Sequence, residues 1–420
     1  MKKRIVSFMM VCLFVFTITF AAAWGKSSEP AKPRSISIIC TTDDQAYFKE
    51  AGRVYKEKYG IGLEIIAQNY DNTHNKIAAS VLGGAKIDIT YVDTVWPAEF
   101  AAAKILVPVD KYLPRGFKEN FINATIDQMV YNEKTYAIPF SNNGKWLYYN
   151  KKMLAEAGYN EPPKSWDELF AISKKLIADK KAKYGMTFAG MQSEGLICDF
   201  TTFLYGFGGK YMDKKGKFVY NSPEAVKAVE MIVNSMKDGL IDPASLTYTD
   251  RTDLDPFLAG EVPFVMDWSF AWGLVNDSSI SKVAGNIGIA LIPGDAKAGV
   301  RSSSVTGGGG LGILSSSKNP QWAWKFIELI STPEMQKKAL EMANLMPTLK
   351  VVYYDADVLA KYPVFKDMVP QLQYMHFRPV YPKYGEWSQI TQVALNKAYS
   401  GKATPKQALD EAVKQANKLK

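Results

Sequence analysis

Apolar residues fill Ser35 to Thr41 (SISIICT), and the next apolar positions, Tyr47, Ala51, Val54 and Tyr55, recur at helical spacing until Gly60. That pattern predicts a strand and then a helix that Gly60 stops. Leu63 to Ala67 predicts a second strand, Asn75 to Leu82 a short helix ended by Gly83-Gly84, and Ile87 to Val92 (IDITYV) a third strand. The order strand, helix, strand, helix, strand predicts an α/β fold with a parallel sheet and right-handed crossovers. In open sheets of this kind ligands gather beyond the carboxyl ends of the strands, and the residues placed there are Asp43, Asp44, Asp93 and Trp96.

The rest of the chain predicts mostly helices. Ser165 to Glu168 (SWDE) has the spacing of a capping box, with Leu169, Ile172 and Leu176 facing inward behind it. Ser222-Pro223 opens a helix carrying Val226, Val229 and Val233, which Gly239 closes. Asn319-Pro320, Thr332-Pro333 and Thr404-Pro405 start three more, the last with Gln407 at the capping-box position. Trp166, Trp322 and Trp324 sit in amphipathic stretches and are expected in the core. Lys210, Lys214, Lys215 and Lys217 are expected on a solvated hairpin, and Ser27 to Pro33 as a tether ahead of the fold.

The N-terminus changes the picture. Met1 to Arg4 carries the positive charges, Ile5 to Phe20 is almost wholly apolar, and Ala21-Ala22-Ala23 supplies small residues for cleavage, so residues 1–23 are expected to be a removed signal peptide. The apolar run falls short of the roughly 20 residues of a spanning helix. Cys12 lies inside that run rather than after the small residues, so the product is expected to be soluble, in the periplasm or outside the cell, and not a lipoprotein. Loss of Lys2, Lys3 and Arg4 lowers the net charge from +9 to +6, too little and too dispersed for nucleic acid. The ~397 residues left exceed what one core commonly supports, which predicts two domains.

Cys40 and Cys198 remain after cleavage, with His74 and His376, and none stands at ligand spacing with another. No metal and no cofactor is expected. The four glycines Gly307 to Gly310 lack the Lys-Ser or Lys-Thr of a nucleotide loop. They read either as a flexible turn or as backbone that lets a ligand approach closely.

Six blocks of the chain resemble, in order, those of the extracellular solute-binding family of ABC importers. They are residues 87–114 (IDITYVDTVWPAEFAAAKILVPVDKYLP), 136–169, 261–272 (EVPFVMDWSFAW), 304–332 (SVTGGGGLGILSSSKNPQWAWKFIELIST), 378–390 (RPVYPKYGEWSQI) and 400–412. The likeness is nearest to the branch that binds maltose, trehalose and other oligosaccharides. It implies a periplasmic-binding-protein-like fold, two α/β lobes with a hinge and a central ligand cleft. The lobes would be 24–140 with 292–317 and 141–291 with 318–420, joined by crossings near Phe140–Asn143, Leu291–Gly294 and Ser316–Lys318. It further implies a monomeric, non-enzymatic receptor that closes on a sugar and delivers it to an ABC membrane permease.

A pyranose offers apolar C–H faces and a rim of hydroxyls, so its site needs flat aromatic surfaces beside planar polar groups. The candidates are Asp43, Asp44, Asp93 and Trp96 from the first lobe. Asn142, Asn143, Trp268, Trp272, Arg378, Tyr381 and Trp387 come from the second, and Gly307, Gly308 and Gly309 bring backbone close. Asp44 reads equally as a helix cap. Asn143 departs from the acid that many relatives carry. Two other classes share some of these features. A secreted glycoside hydrolase needs two acids flanking one bond, and only Glu386 stands opposite Asp43 and Asp93. A receptor for polyamines or peptides would favour a more acidic or less tryptophan-rich cleft. A disulfide between Cys40 and Cys198 would staple the lobes, so both are expected reduced and buried.

Overall fold

The computed structural model describes residues 31–419; the expected signal peptide and most of the expected tether lie outside them. Strand β1 spans Ser35–Thr41, α1 Gln45–Tyr59, β2 Gly62–Gln68, α2 Tyr70–Leu82, β3 Ile89–Asp93 and α3 Pro97–Ala102. β1 pairs in parallel with both β2 and β3, as the alternation predicted. Gly60 ends α1 at φ +65, a left-handed conformation that costs glycine little. Helix α2 begins five residues before its apolar periodicity does, because Asn69 accepts the amide of Asn72 and starts the helix on a polar turn.

The middle of the sheet is built by two long strands. β4, Ala137–Asn150, continues into a region with α4 (Trp166–Ala178), β5 (Met186–Thr187), α5 (Glu194–Gly206) and α6 (Pro223–Lys237). Then come β6 (Phe264–Trp268), β7 (Ile287–Ala290) and β8 (Ser304–Leu314), followed by α7 (Pro320–Ile330) and α8 (Pro333–Ala343). β9 (Met375–His376), α9 (Tyr384–Tyr399) and α10 (Pro405–Ala416) complete the chain. The ten-stranded sheet runs β2-β1-β3-β8-β4-β6-β5, with β7 on β4, and β9 and Leu106–Val107 on β8. β8 is antiparallel to both β3 and β4, so the sheet is mixed.

One hydrophobic core runs through the described chain; the elements on the β3 side of β8 are called the first unit below and those on the β6 side of β4 the second. Along β8, Gly309–Ile313 pair with β3, while Thr306–Gly309 pair with Ser141–Gly144 of β4. The register shifts between Gly309 and Gly310, opposite Ser141 and Pro139, leaving Phe140 as the extra residue of a bulge. Phe140 turns into the first unit's aromatic core, 5.3 Å from Phe48 and 6.2 Å from Tyr91 between ring centres. Six residues on, Trp146 is fully buried in the second unit and donates its indole N–H to the Met368 carbonyl at 2.9 Å.

Helices α7 and α8 cover α1. The Tyr55 hydroxyl donates to the Trp322 carbonyl at 2.8 Å, Lys338 pairs with Glu50 at 2.6 Å, and Trp324 stacks on Tyr112. A division at residue 318 would cut through these contacts, so packing puts 318–343 with the first unit and not, as expected, with the second. The stretch around Leu291–Gly294 likewise lies inside the second unit, where Gln371 accepts the Ile292 amide, and β8 carries that passage instead. The remaining passage lies between Lys350–Tyr353, packed on α8, and Phe365–Met368, packed on β7.

The cap chemistry follows the sequence except at Asn319, whose side chain caps no amide of α7, and at Ser165. Thr404 and Gln407 form a full capping box. At Ser165 the hydroxyl accepts the Glu168 amide, but the Glu168 carboxylate reaches past it to the Lys164 amide. Among the described residues no helix is long and apolar enough to cross a membrane.

Candidate functional site

The carboxyl ends of β1 and β3 and the N-terminus of α5 converge where the two units meet. Asp93, at the end of β3, is buried and crowded with donors. Its Oδ1 accepts the Val95 amide at 3.1 Å, the Thr94 hydroxyl at 3.2 Å and Arg378 Nη2 at 3.2 Å. Its Oδ2 accepts the Tyr70 hydroxyl at 3.0 Å and, at 3.5 Å, that of Tyr91. Arg378 is equally buried, donates its other terminal nitrogen to Glu194 at 2.7 Å, and keeps Nε without an acceptor. Glu194 opens α5 and also accepts from Ser388 at 2.8 Å and from the Tyr384 hydroxyl, both in the first turns of α9. Arg378 thus ties a carboxylate of the first unit to one of the second. Burial pushes the Glu194 carboxyl above its ordinary range, and the guanidinium beside it opposes that rise.

A second polar group lies behind Trp268. Lys145, in the middle of β4, is wholly buried, pairs with Asp199 at 2.6 Å and Asp250 at 3.0 Å, and stands 5.3 Å from the centre of the Trp268 ring. Burial alone would lower its pKa, but the surrounding carboxylates outweigh that and hold the ammonium charged. Burial raises Asp199 to about 6. It holds Asp253 and Asp267 well above the carboxylate range, and neither oxygen of Asp253 meets a donor. Trp268 itself packs with Cys198 and Val305, and Gly307 crosses its benzenoid edge so closely that a Cβ there would stand 2.7 Å from Cζ3.

The other candidates divide. Asp44 is buried and accepts the Thr41 hydroxyl at 2.6 Å, but its side chain caps no amide of α1, while Asp43 beside it is exposed. Trp96 stacks on Tyr70 at 6.0 Å and meets His74 edge-on. Asn142 donates to the Tyr353 hydroxyl at 2.9 Å; Asn143 Oδ1 accepts both the amide and the hydroxyl of Ser269, which ties β4 to the turn after β6. Gly308 has φ +107, and the Gly309 amide donates to the Ser141 hydroxyl at 3.1 Å. Trp272 is half-buried against the main core.

Trp387 is a core residue in this structure, and Tyr381 is half-buried against the same core. Trp387 is fully buried inside the second unit, stacked on Phe218 and edge-on to Tyr211 and Tyr220. Tyr381 packs edge-on against Phe218 and donates its hydroxyl to the Leu419 carbonyl at 2.8 Å, fastening the C-terminus. Cys40 and Cys198 are free and buried. Residues that sequence reasoning missed are Tyr70, Lys145, Glu194, Asp199 and Asp250. Their one available signal was a lysine inside the apolar strand pattern KWLYY. Surface hollows of about 300 Å³ between α9 and α10, and about 350 Å³ beside Gly158–Lys164, have none of these residues in their walls.

Comparison with known proteins agrees with this architecture. The sequence pattern of the bacterial extracellular solute-binding protein family matches residues 41–337. A probable ABC transporter-binding protein of Deinococcus radiodurans is 27% identical over 395 residues, 91% of each chain. The sn-glycerol-3-phosphate-binding periplasmic protein of Shigella flexneri is 27% identical, covering 84% of this chain and 83% of its own. Among solved structures, the maltose-bound MalE3 of T. maritima superposes with a TM-score of 0.83 at 28% identity, over 92% of this chain and all of that one.

Proposed function

The chain belongs to the bacterial extracellular solute-binding protein family, and from that premise we propose that it captures a sugar or oligosaccharide between its two units and hands it to an ABC membrane importer. The family and the fold are those of substrate-binding receptors of ABC transporters, with sugar-binding proteins among the neighbours. Export follows the family's extracellular habit, with residues 1–23 removed on the way. The two units act as lobes, and the bulge at Phe140 with the glycines of β8 forms their hinge. A ligand shifts such a closure only by touching both lobes at once.

The observation that carries the reading is Arg378 held between Asp93 and Glu194, with the indole of Trp268 packed on Cys198 of the helix that Glu194 opens. Planar bidentate groups next to an aromatic surface are what a pyranose requires. The hydrogen bonds that Asp93, Arg378 and Glu194 make to one another are ones that sugar hydroxyls can take over when the lobes part.

Titration calorimetry of the purified protein against mono- and disaccharides is expected to find a ligand, recovered uncleaved by chromatography. Trp268→Ala is expected to weaken that ligand by at least about 30-fold, the loss of an anchor of about 2 kcal/mol. Binding to no sugar would sink the reading, and recovery of cleaved sugar would replace it with a glycoside hydrolase.

A further inference from the structure

We infer that this cleft selects against negative charge, so that its ligand is a saccharide without a phosphate or carboxylate group; this rests on the sugar reading above. An anion bound by a fold of this kind needs a free cation or an unoccupied helix N-terminus, whose amide groups and dipole favour negative charge. Neither cation at the junction is free of carboxylates. Arg378 already faces Asp93 and Glu194, and Lys145 already faces Asp199 and Asp250.

Acids of the chain stand at the helix ends near the junction, although none of them caps a backbone amide of α1, α5 or α9. At α1 the cap position is Asp44, buried and hydrogen-bonded to Thr41. Ahead of α3, Asp93 accepts the Val95 amide. At α5, Glu194 is the first residue, and the Asp250 carboxylate lies against Gly195, with Oδ2 2.7 Å from where a Cβ would stand. Beside the start of α9, Glu194 accepts from the side-chain hydroxyls of Ser388 and Tyr384. Carboxylates outnumber the two cations, so the field in the cleft is negative. It repels an incoming phosphate or carboxylate, while neutral hydroxyls find acceptors in plenty. This separates the ligand of this chain from the phosphate ester named for one of its relatives.

The test is calorimetry on matched pairs at low ionic strength: maltose with maltobionate, glucose with glucose 6-phosphate, and glycerol with sn-glycerol 3-phosphate. In every pair with a binding member, the anionic partner is expected to bind at least about 30-fold more weakly, with the gap narrowing as salt is added. Asp250→Asn is expected to narrow the same ratio. An anionic partner that binds as tightly as the neutral one would overturn the inference and leave the sugar reading standing. Absence of binding by every member would remove the sugar reading and the inference together. A ratio unmoved by both salt and Asp250→Asn would show that the carboxylates are not its cause, and would overturn the inference.

Discussion

Asp44 holds a carboxyl at the end of β1 where water is nearly absent, and burial raises its pKa to about 6, with the Thr41 hydroxyl opposing and Asp43 adding to the rise. Unfolded, the group titrates near 3.9. Its favourable contribution to stability is therefore complete below about pH 4 and is lost as pH rises through about 6. Asp44→Asn is expected to stabilise the protein by about 1–3 kcal/mol near pH 8, with the difference vanishing below about pH 4, as read from denaturant melts across pH. A carboxyl that costs stability at neutral pH is not kept for packing, which fits the ligand contact proposed for it. Trp387 is the opposite case. Because its indole is wholly enclosed by aromatic rings, Trp387→Ala is expected to cost about 3–5 kcal/mol in a denaturant melt. The affinity of the folded fraction for sugar should stay within about threefold of the original. A large loss of affinity without loss of stability would return Trp387 to the site.

At the scale of elements, β1 was legible in the sequence to the residue, the caps at Thr332 and Thr404 fell where Pro and the hydroxyls placed them, and α7 starts at Pro320 after Asn319 without a side-chain cap. Those signals are local, and so they survive folding unchanged. The start of α2 was not legible, because a polar turn capped by Asn69 carries no periodicity. Of the candidates expected at strand ends and in the glycine run, Asp93 meets Arg378 directly, and the Tyr91 hydroxyl lies between Asp93 and the Gly308 carbonyl. The site was not legible for Lys145 and Glu194, since their partners come from residues 199, 250 and 378, and no local pattern announces such a meeting. Tyr381 and Trp387 follow Arg378 closely in sequence, but Trp387 is buried on α9 and Tyr381 lies half-buried on Phe218. The glycines of β8 give a sharp expectation. Gly308 sits at φ +107 with the Ser141 carbonyl oxygen 2.3 Å from any added Cβ, so Gly308→Ala is expected to cost about 2 kcal/mol or more. Gly385, in the first turn of α9 with open space around it, is expected to respond with the reverse sign, gaining up to about 1 kcal/mol as Ala. Melting both variants beside the parent protein checks the pair.

The whole molecule is two units on one sheet, and the elements that finish the first unit come late in the chain. β3 ends at Asp93, yet its inner neighbour β8 begins at Ser304, and the helices that cover α1 span Pro320–Ala343. A nascent chain that has emerged as far as residue 300 therefore has β1, β2 and β3 without the strand that closes their inner edge and without cover over α1. Contacts at such long separation in sequence close slowly, since the entropy of the intervening loop is lost before any pairing returns it. Synthesis of the last third is what releases the first third to fold. Until then the leading segment lacks its closing strand and its cover, an unfinished state that suits the export proposed above.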